Sequence, residues 1–144
     1  HDVAVRFSRC CSPVPGDEIV GFVTRGRGVS IHRTDCVNII NLSSEERVRL
    51  IDAEWQQPEV PDASAKYTAE IKVYGNNRTG LLVDVVRVLT ERKIDVASVN
   101  TRTSKQGTAT ISLSFDVQGK QELNQIIEKI RQVESVLDIE RTTG

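Results

Sequence analysis

Two stretches of strict period-two alternation, each followed by a helical repeat, constrain this chain more than any other feature. Tyr67, Ala69, Ile71 and Val73 alternate with Thr68, Glu70, Lys72 and Tyr74, which gives a strand one apolar face. The run GNNRTG ends that strand. Leu81, Leu82, Val85, Val86 and Leu89 then recur at helical spacing as far as Lys93, with Thr79 placed to cap the helix. Ile94 to Arg102 is expected to be a second strand and Gln106-Gly107 a turn, while Ala109, Ile111, Leu113, Phe115 and Val117 alternate as a third strand. Leu123, Ile126, Ile127 and Ile130 form another helical stripe, and Val136 to Arg141 a closing strand. Right-handed crossovers fold the order β-α-β-β-α-β into a four-stranded antiparallel sheet with both helices on one face, a ferredoxin-like sandwich.

The rest of the chain lacks this regularity. Its apolar runs are short, at Val3 to Phe7, Ile19 to Thr24, Val29 to His32 and Val48 to Trp55, and each is expected to be a strand. Asp35 to Leu42 suits one or two helical turns, with Thr34 as cap and Asp35 in the first turn. Residues 57–65 hold two prolines and no hydrophobic period, the composition of a linker. The expected class is therefore α+β: a small β-rich, cysteine-containing module over residues 1–56, a linker over 57–65, and the βαββαβ domain over 66–144.

A chain of 144 residues is too short for a catalytic barrel or a doubly wound nucleotide-binding sheet. It contains no Met and starts at His1, so a piece of a longer protein is expected. The net charge of -1 gives no overall polybasic footprint. Three cysteines do not make the framework of a secreted disulfide module, and the apolar stretch at 80–89 is broken by Asp84 and Arg87. A reducing cytoplasm and no membrane anchor are expected.

Three constellations could carry chemistry. Cys10-Cys11 and His32-x-x-x-Cys36 together supply three sulfurs and one imidazole, a set suited to tetrahedral zinc if the loop bends so that both adjacent thiols converge. The alternative is a group of small buried residues in a reduced protein, with His32 an ordinary hydrogen-bonded strand residue. A thiol enzyme would need a base and its orienter, for which only His32 and Asp35 are near. The second constellation is Arg25, Arg27 and Arg33 around the Gly26-Gly28 tip, a cationic loop suited to a phosphate backbone or simply a solvated turn. The third is GNNRTGLL, where Gly80 would let a carboxylate approach a helix N-terminus. No catalytic set and no organic cofactor are expected.

The run VRFSRCCSPVPGDEIVGFVTRGRGVSIHRTDC resembles the conserved-cysteine, zinc-finger-like module of the long RelA/SpoT-type (p)ppGpp synthetase/hydrolases of bacteria. Residues 66–144, with NNRTGLLVDVVRVLTERKIDVASVNTR, resemble the ACT domain that ends those proteins. The resemblance implies a non-catalytic regulatory region in the stringent response, whose parent is a GTP pyrophosphokinase. It implies docking on ribosomal RNA and tRNA, with Arg25, Arg27 and Arg33 facing RNA, and communication with the parent's own catalytic N-terminal half. It matches Cys10, Cys11, His32 and Cys36 to a zinc site. ACT domains pair as dimers and take amino acids at the strand-helix loop. That implies Asn76, Asn77, Arg78, Thr79, Gly80, Leu81 and Leu82 beside Ser98, Val99 and Asn100, with valine or isoleucine as ligand. A stand-alone amino-acid-binding ACT dimer with a structural cysteine cluster is the alternative.

Overall fold

The computed structural model describes residues 4–56 and 65–143, so Val3 and all of the expected linker except Ala65 lie outside the described residues. The first module contains β1 (Val5–Phe7), β2 (Ile19–Val23), β3 (Val29–Arg33), α1 (Val37–Ile40), α2 (Ser44–Arg47) and β4 (Leu50–Asp52). Its sheet has the order β1-β3-β2-β4, with β1 parallel to β3 and the other pairs antiparallel. Gly28, at φ +75°, closes the β2-β3 hairpin where β1 passes, and a Cβ there would fall 2.1 Å from the Ala4 carbonyl oxygen. That oxygen takes the Val29 N–H, so the close approach is part of the sheet.

Two local expectations fail here for identifiable reasons. The strand expected over 48–55 contracts to three residues, because Ser43 and Glu46 form a reciprocal capping box that starts α2 just before it. The helix expected from Thr34 begins later, with Cys36 as N-cap and no acid in its first turn. Asp35 is instead engaged by the Arg33 guanidinium, Nε to Oδ1 at 2.9 Å.

The second module follows as β5 (Tyr67–Asn76), α3 (Leu81–Glu91), β6 (Val96–Thr103), β7 (Thr108–Val117), α4 (Lys120–Arg131) and β8 (Val136–Arg141). Its sheet has the order β6-β7-β5-β8, antiparallel throughout. The α+β class and βαββαβ order are as expected. Ala69, Ile71 and Val73 of β5 and Ile111, Leu113 and Phe115 of β7 form the buried face, against Leu81, Val85 and Leu89 of α3 and Leu123, Ile126 and Ile130 of α4. Two boundaries move. Gly80, at φ +84°, is the α3 N-cap rather than Thr79. β6 starts at Val96 rather than Ile94, because the N–H groups of Arg92 and Ile94 both turn back to the Leu89 carbonyl around Lys93 at φ +58°.

The modules dock through the PVPGD segment. Val14 is fully buried in the second module's core. The Pro15 carbonyl accepts the Lys120 N–H at 2.7 Å, and Asp17 receives both terminal nitrogens of Arg141 at 2.7 and 2.9 Å. Trp55 stacks on Phe7 at 5.4 Å, meets Tyr67 edge-on at 5.6 Å, and donates Nε1–H to the Asp17 carbonyl. Among the described residues no helix is long and apolar enough to cross a membrane.

Candidate metal centre and ligand loop

Cys10 and Cys11 lie in a turn, not a strand: the Ser12 N–H returns to the Ser8 carbonyl at 3.0 Å, and Ser12 itself sits at φ +48°. Neighbouring side chains on such a turn diverge by about 100° rather than the 180° of a strand, so both thiols face inward. Opposite them, β3 delivers His32, and Cys36 follows as the α1 N-cap. The four ligand atoms lie within 4.8 Å of one another, a donor set of the kind that tetrahedral metal sites use. Cys10 Sγ is 3.4 Å from both Cys36 Sγ and His32 Nδ1, and Cys11 Sγ is 3.9 Å from the same nitrogen.

Surrounding groups hold each donor in place. His32 Nε2 is 3.0 Å from Ser30 Oγ, an outer partner that fixes the ring with Nδ1 toward the sulfurs. The Arg33 backbone N–H points to Cys11 Sγ at 3.3 Å, and Ser8 Oγ is 2.8 Å from Cys10 Sγ. Burial opposes ionisation of Cys10, but hydrogen bonds from Ser8, Asn38, Cys36 and Cys11 outweigh it and hold the thiol below its ordinary range. Burial pushes the Cys11 thiol up to about 12 and, with a hydrogen bond to Cys10, raises that of Cys36. Burial, aided by the charge of Arg6, lowers the His32 pKa and so favours the neutral imidazole, the form that coordinates metal. This cluster of three thiols and an imidazole could hold a metal ion. Asp35 pairs with Arg33 and His32 with Ser30, so among the described residues His32 and Asp35 form no relay.

The expected RNA-facing arginines separate. Arg25 and Arg27 are exposed at the hairpin tip. Arg33 is buried at 6% exposure, donating to Asp35, to the Cys11 carbonyl at 3.1 Å and to the Thr142 carbonyl at 3.2 Å. It therefore leaves the cationic surface, because its strand position points it between the two modules.

The residues expected to line an amino-acid site also divide. Asn76, the last residue of β5, is exposed, as are Asn77 and Thr79 in the β5-α3 connection, where the Asn77 N–H bonds to the Gly107 carbonyl. Arg78 reaches away, donating to the Glu134 carbonyl, Ser135 Oγ and Asp84, and so ties this loop to the one before β8. Asp84 already faces the positive end of α3. Leu81 is buried in the core. Leu82 and Val99 do come together, lining an apolar slot of about 530 Å³ with Val83, Val86, Arg87 and Thr90. Ser98 and Asn100 cannot join them: they pair with Ser114 and Ser112, whereas Val99 pairs with the buried Leu113, so they occupy the opposite face of the sheet.

Ser8, Ser30, Asp17 and Arg141 are important positions that sequence reasoning passed over. The Ser30-x-His32 spacing on a strand was the available signal for one of them.

Comparison with known proteins now gives these features a family. A family model described as the RelA/SpoT RIS domain matches residues 1–56, and one described as the ACT domain matches residues 63–141. A GTP pyrophosphokinase of Streptomyces coelicolor is 42% identical over 144 residues, and that of Escherichia coli K12 is 41% identical over 139; they cover 100% and 96% of this chain. A bifunctional (p)ppGpp synthase/hydrolase RelA of Mycobacterium tuberculosis is 38% identical over 142 residues, 99% of the chain. The chain spans only 16%, 18% and 19% of the length of these three relatives. The crystal structure of the ACT domain from a Chlorobium tepidum GTP pyrophosphokinase aligns with a TM-score of 0.48 at 22% identity, over 54% of this chain and 99% of that one. The chain belongs to the ACT domain family and represents the RIS and ACT regions of a RelA/SpoT-type protein.

Proposed function

We propose that this RIS and ACT region is the non-catalytic regulatory part of a bacterial (p)ppGpp synthetase/hydrolase, working in the cytoplasm during the stringent response. It takes a branched-chain amino acid, valine or isoleucine, beside α3 and reports to the parent's catalytic half. It docks on ribosomal RNA and tRNA through the Arg25-Arg27 hairpin, and the Cys10, Cys11, His32 and Cys36 cluster holds zinc. The observation that carries the sensing role is the open apolar slot in which Leu82 and Val99 converge next to the α3 N-terminus. Its walls suit an aliphatic side chain and would reject a charged one.

Calorimetric titration with valine, isoleucine and leucine tests this, with Val99→Asp as the control that places a charge in the slot. Saturable heat that disappears in the variant supports sensing; no heat for any ligand leaves RNA anchoring as the main function. For anchoring, Arg25→Glu with Arg27→Glu should reduce co-sedimentation with ribosomes by charge reversal. Unchanged co-sedimentation of that double variant would remove the hairpin from the interface.

The second reading, a stand-alone amino-acid-binding ACT dimer, draws on one feature. Edge strand β6 is exposed along most of its length, and Leu82, Val83 and Val99 are exposed beside it. Tight self-association in sedimentation, with amino-acid binding and no ribosome association, would favour it.

A further inference from the structure

The residues around the thiol cluster also grip the end of the ACT domain. At the end of β8, the strap from Arg141 to Thr143 crosses the turn that bears Cys10 and Cys11. Arg141 Nη2 donates to the Ser12 carbonyl at 3.1 Å while the same guanidinium grips Asp17. Arg33 Nη1 donates to the Cys11 carbonyl and to the Thr142 carbonyl, joining a ligand residue directly to the strap. The Val37 N–H, next in sequence to Cys36, donates to the Thr143 carbonyl at 2.7 Å. Every fastening of the strap to the first module lies within one residue of a ligand residue, Asp17 excepted.

Val14, the Pro15-Lys120 bond and the Trp55 contacts hold the modules together away from the thiols, but beside the thiol cluster the apolar packing is small. The first module's buried apolar cluster near the site contains only Cys11, Cys36 and Ile39, with Cys10, Val20, Leu42 and Leu50 packed around it. The seam is not self-satisfied either: Arg141 Nε and Thr142 Oγ1 are buried without a hydrogen-bond partner among the described residues. A cation bridging the Cys10-Cys11 turn to His32 and Cys36 would fix the turn against the α1 corner, which are the two surfaces the strap spans.

We propose that a thiophilic divalent cation held by Cys10, Cys11, His32 and Cys36 is a further fastening between the modules, at the strap, so that occupancy of the site and docking of the ACT strap stabilise each other. This rests on the zinc reading above and adds a function to it: a cation site that sets the geometry of the ACT domain. Linkage makes the effect reciprocal, since whatever factor the metal adds to docking, docking must add to metal affinity.

Trp55, the single tryptophan, reports on the junction because it packs between Phe7 and Tyr67 and bonds to the Asp17 carbonyl. The experiment strips the reduced chain with a chelator and restores Zn²⁺, following bound metal, Trp55 emission and amide exchange at Val37. One zinc per chain is expected, with red-shifted emission and faster Val37 exchange in the stripped form and recovery on addition. Arg141→Met, which touches no ligand, should weaken zinc binding by roughly fivefold or more. One zinc bound, with Trp55 emission and Val37 exchange unmoved on stripping, overturns the coupling and leaves the zinc reading intact. No zinc bound overturns both. If Arg141→Met does not fold, the wild-type readings decide alone.

Discussion

Replacing Asp17 with Asn should cost this chain about 3 kcal/mol, because it breaks a buried ion pair from one side only. The Asp17 side chain is 4% exposed and accepts three hydrogen bonds: from Arg141 Nη1 at 2.7 Å, Arg141 Nη2 at 2.9 Å and the Val14 N–H at 2.8 Å. Asn keeps one acceptor oxygen and turns an NH₂ toward donors, so at least one of these contacts becomes donor against donor. Arg141, with a side chain 13% exposed, then lacks its counter-charge. Truncating one partner of a buried pair costs about 3–5 kcal/mol, and the residual exposure of Arg141 places this case at the lower end. For a chain of this length that corresponds to a fall in Tm of roughly 10 °C. Thermal unfolding followed in parallel by circular dichroism and Trp55 emission measures it. The Trp55 transition should move at least as far as the dichroic one, since Trp55 bonds to the Asp17 carbonyl. Arg141→Met should cost a similar amount, and the double variant about 1 kcal/mol or more less than the sum. A shift below about 3 °C in Asp17→Asn, or simple additivity in the double variant, would show that the pair does not secure the junction.

The remaining expectations concern pH, metal and backbone. Burial opposes ionisation of Asp17, but the Arg141 contacts and the Val14 N–H lower its folded pKa below the usual carboxylate value. Its stabilising contribution is therefore complete above the unfolded pKa, about 3.9, and is lost as pH falls through the folded value; Asp17→Asn should flatten this acid limb. Zinc binding at neutral pH should release about two protons or more, because the Cys11 and Cys36 thiols are raised and must ionise to coordinate; calorimetry in buffers of different ionisation enthalpy reads the number. Gly28→Ala should disrupt the first module, since its Cβ meets the Ala4 carbonyl at 2.1 Å, and loss of β1 amide protection would register this. Gly80→Ala should be far milder, about 1 kcal/mol from its positive φ, because the added Cβ would touch only Arg78 Nη1 at 3.6 Å.

The ACT half was legible because one physical signal dominates each of its elements. Tyr67 to Val73 and Ala109 to Val117 bury alternate residues against two amphipathic helices, and no local preference competes with that burial. Errors there fall where backbone conformation overrides composition, as at Gly80 and Lys93, whose positive φ angles move the ends of α3 and β6. In the first module the elements are three to five residues long, too short for a period to show, and local capping decides instead. The Ser43-Glu46 box was visible as Ser-x-x-Glu, in the stretch between Leu42 and Val48 where no element was expected.

The residues expected at the amino-acid site divide for a different reason, which bears on the ligand proposed for the ACT module. Family position groups Ser98, Val99 and Asn100, but a strand cannot present three consecutive side chains to one ligand. Val99 belongs to the slot with Leu82, whereas the Ser98 hydroxyl bonds to Ser114 on the other face at 2.6 Å. On the proposed sensing reading, the polar groups for an ammonium come from the end of β5 and the β5-α3 connection, where Asn76 and Asn77 are exposed, and not from β6. Asn77→Ala should therefore weaken a bound amino acid while Ser98→Ala leaves it unchanged, and calorimetric titration of the two variants separates the cases. Equal losses in both would place the ligand across the sheet edge instead of beside α3.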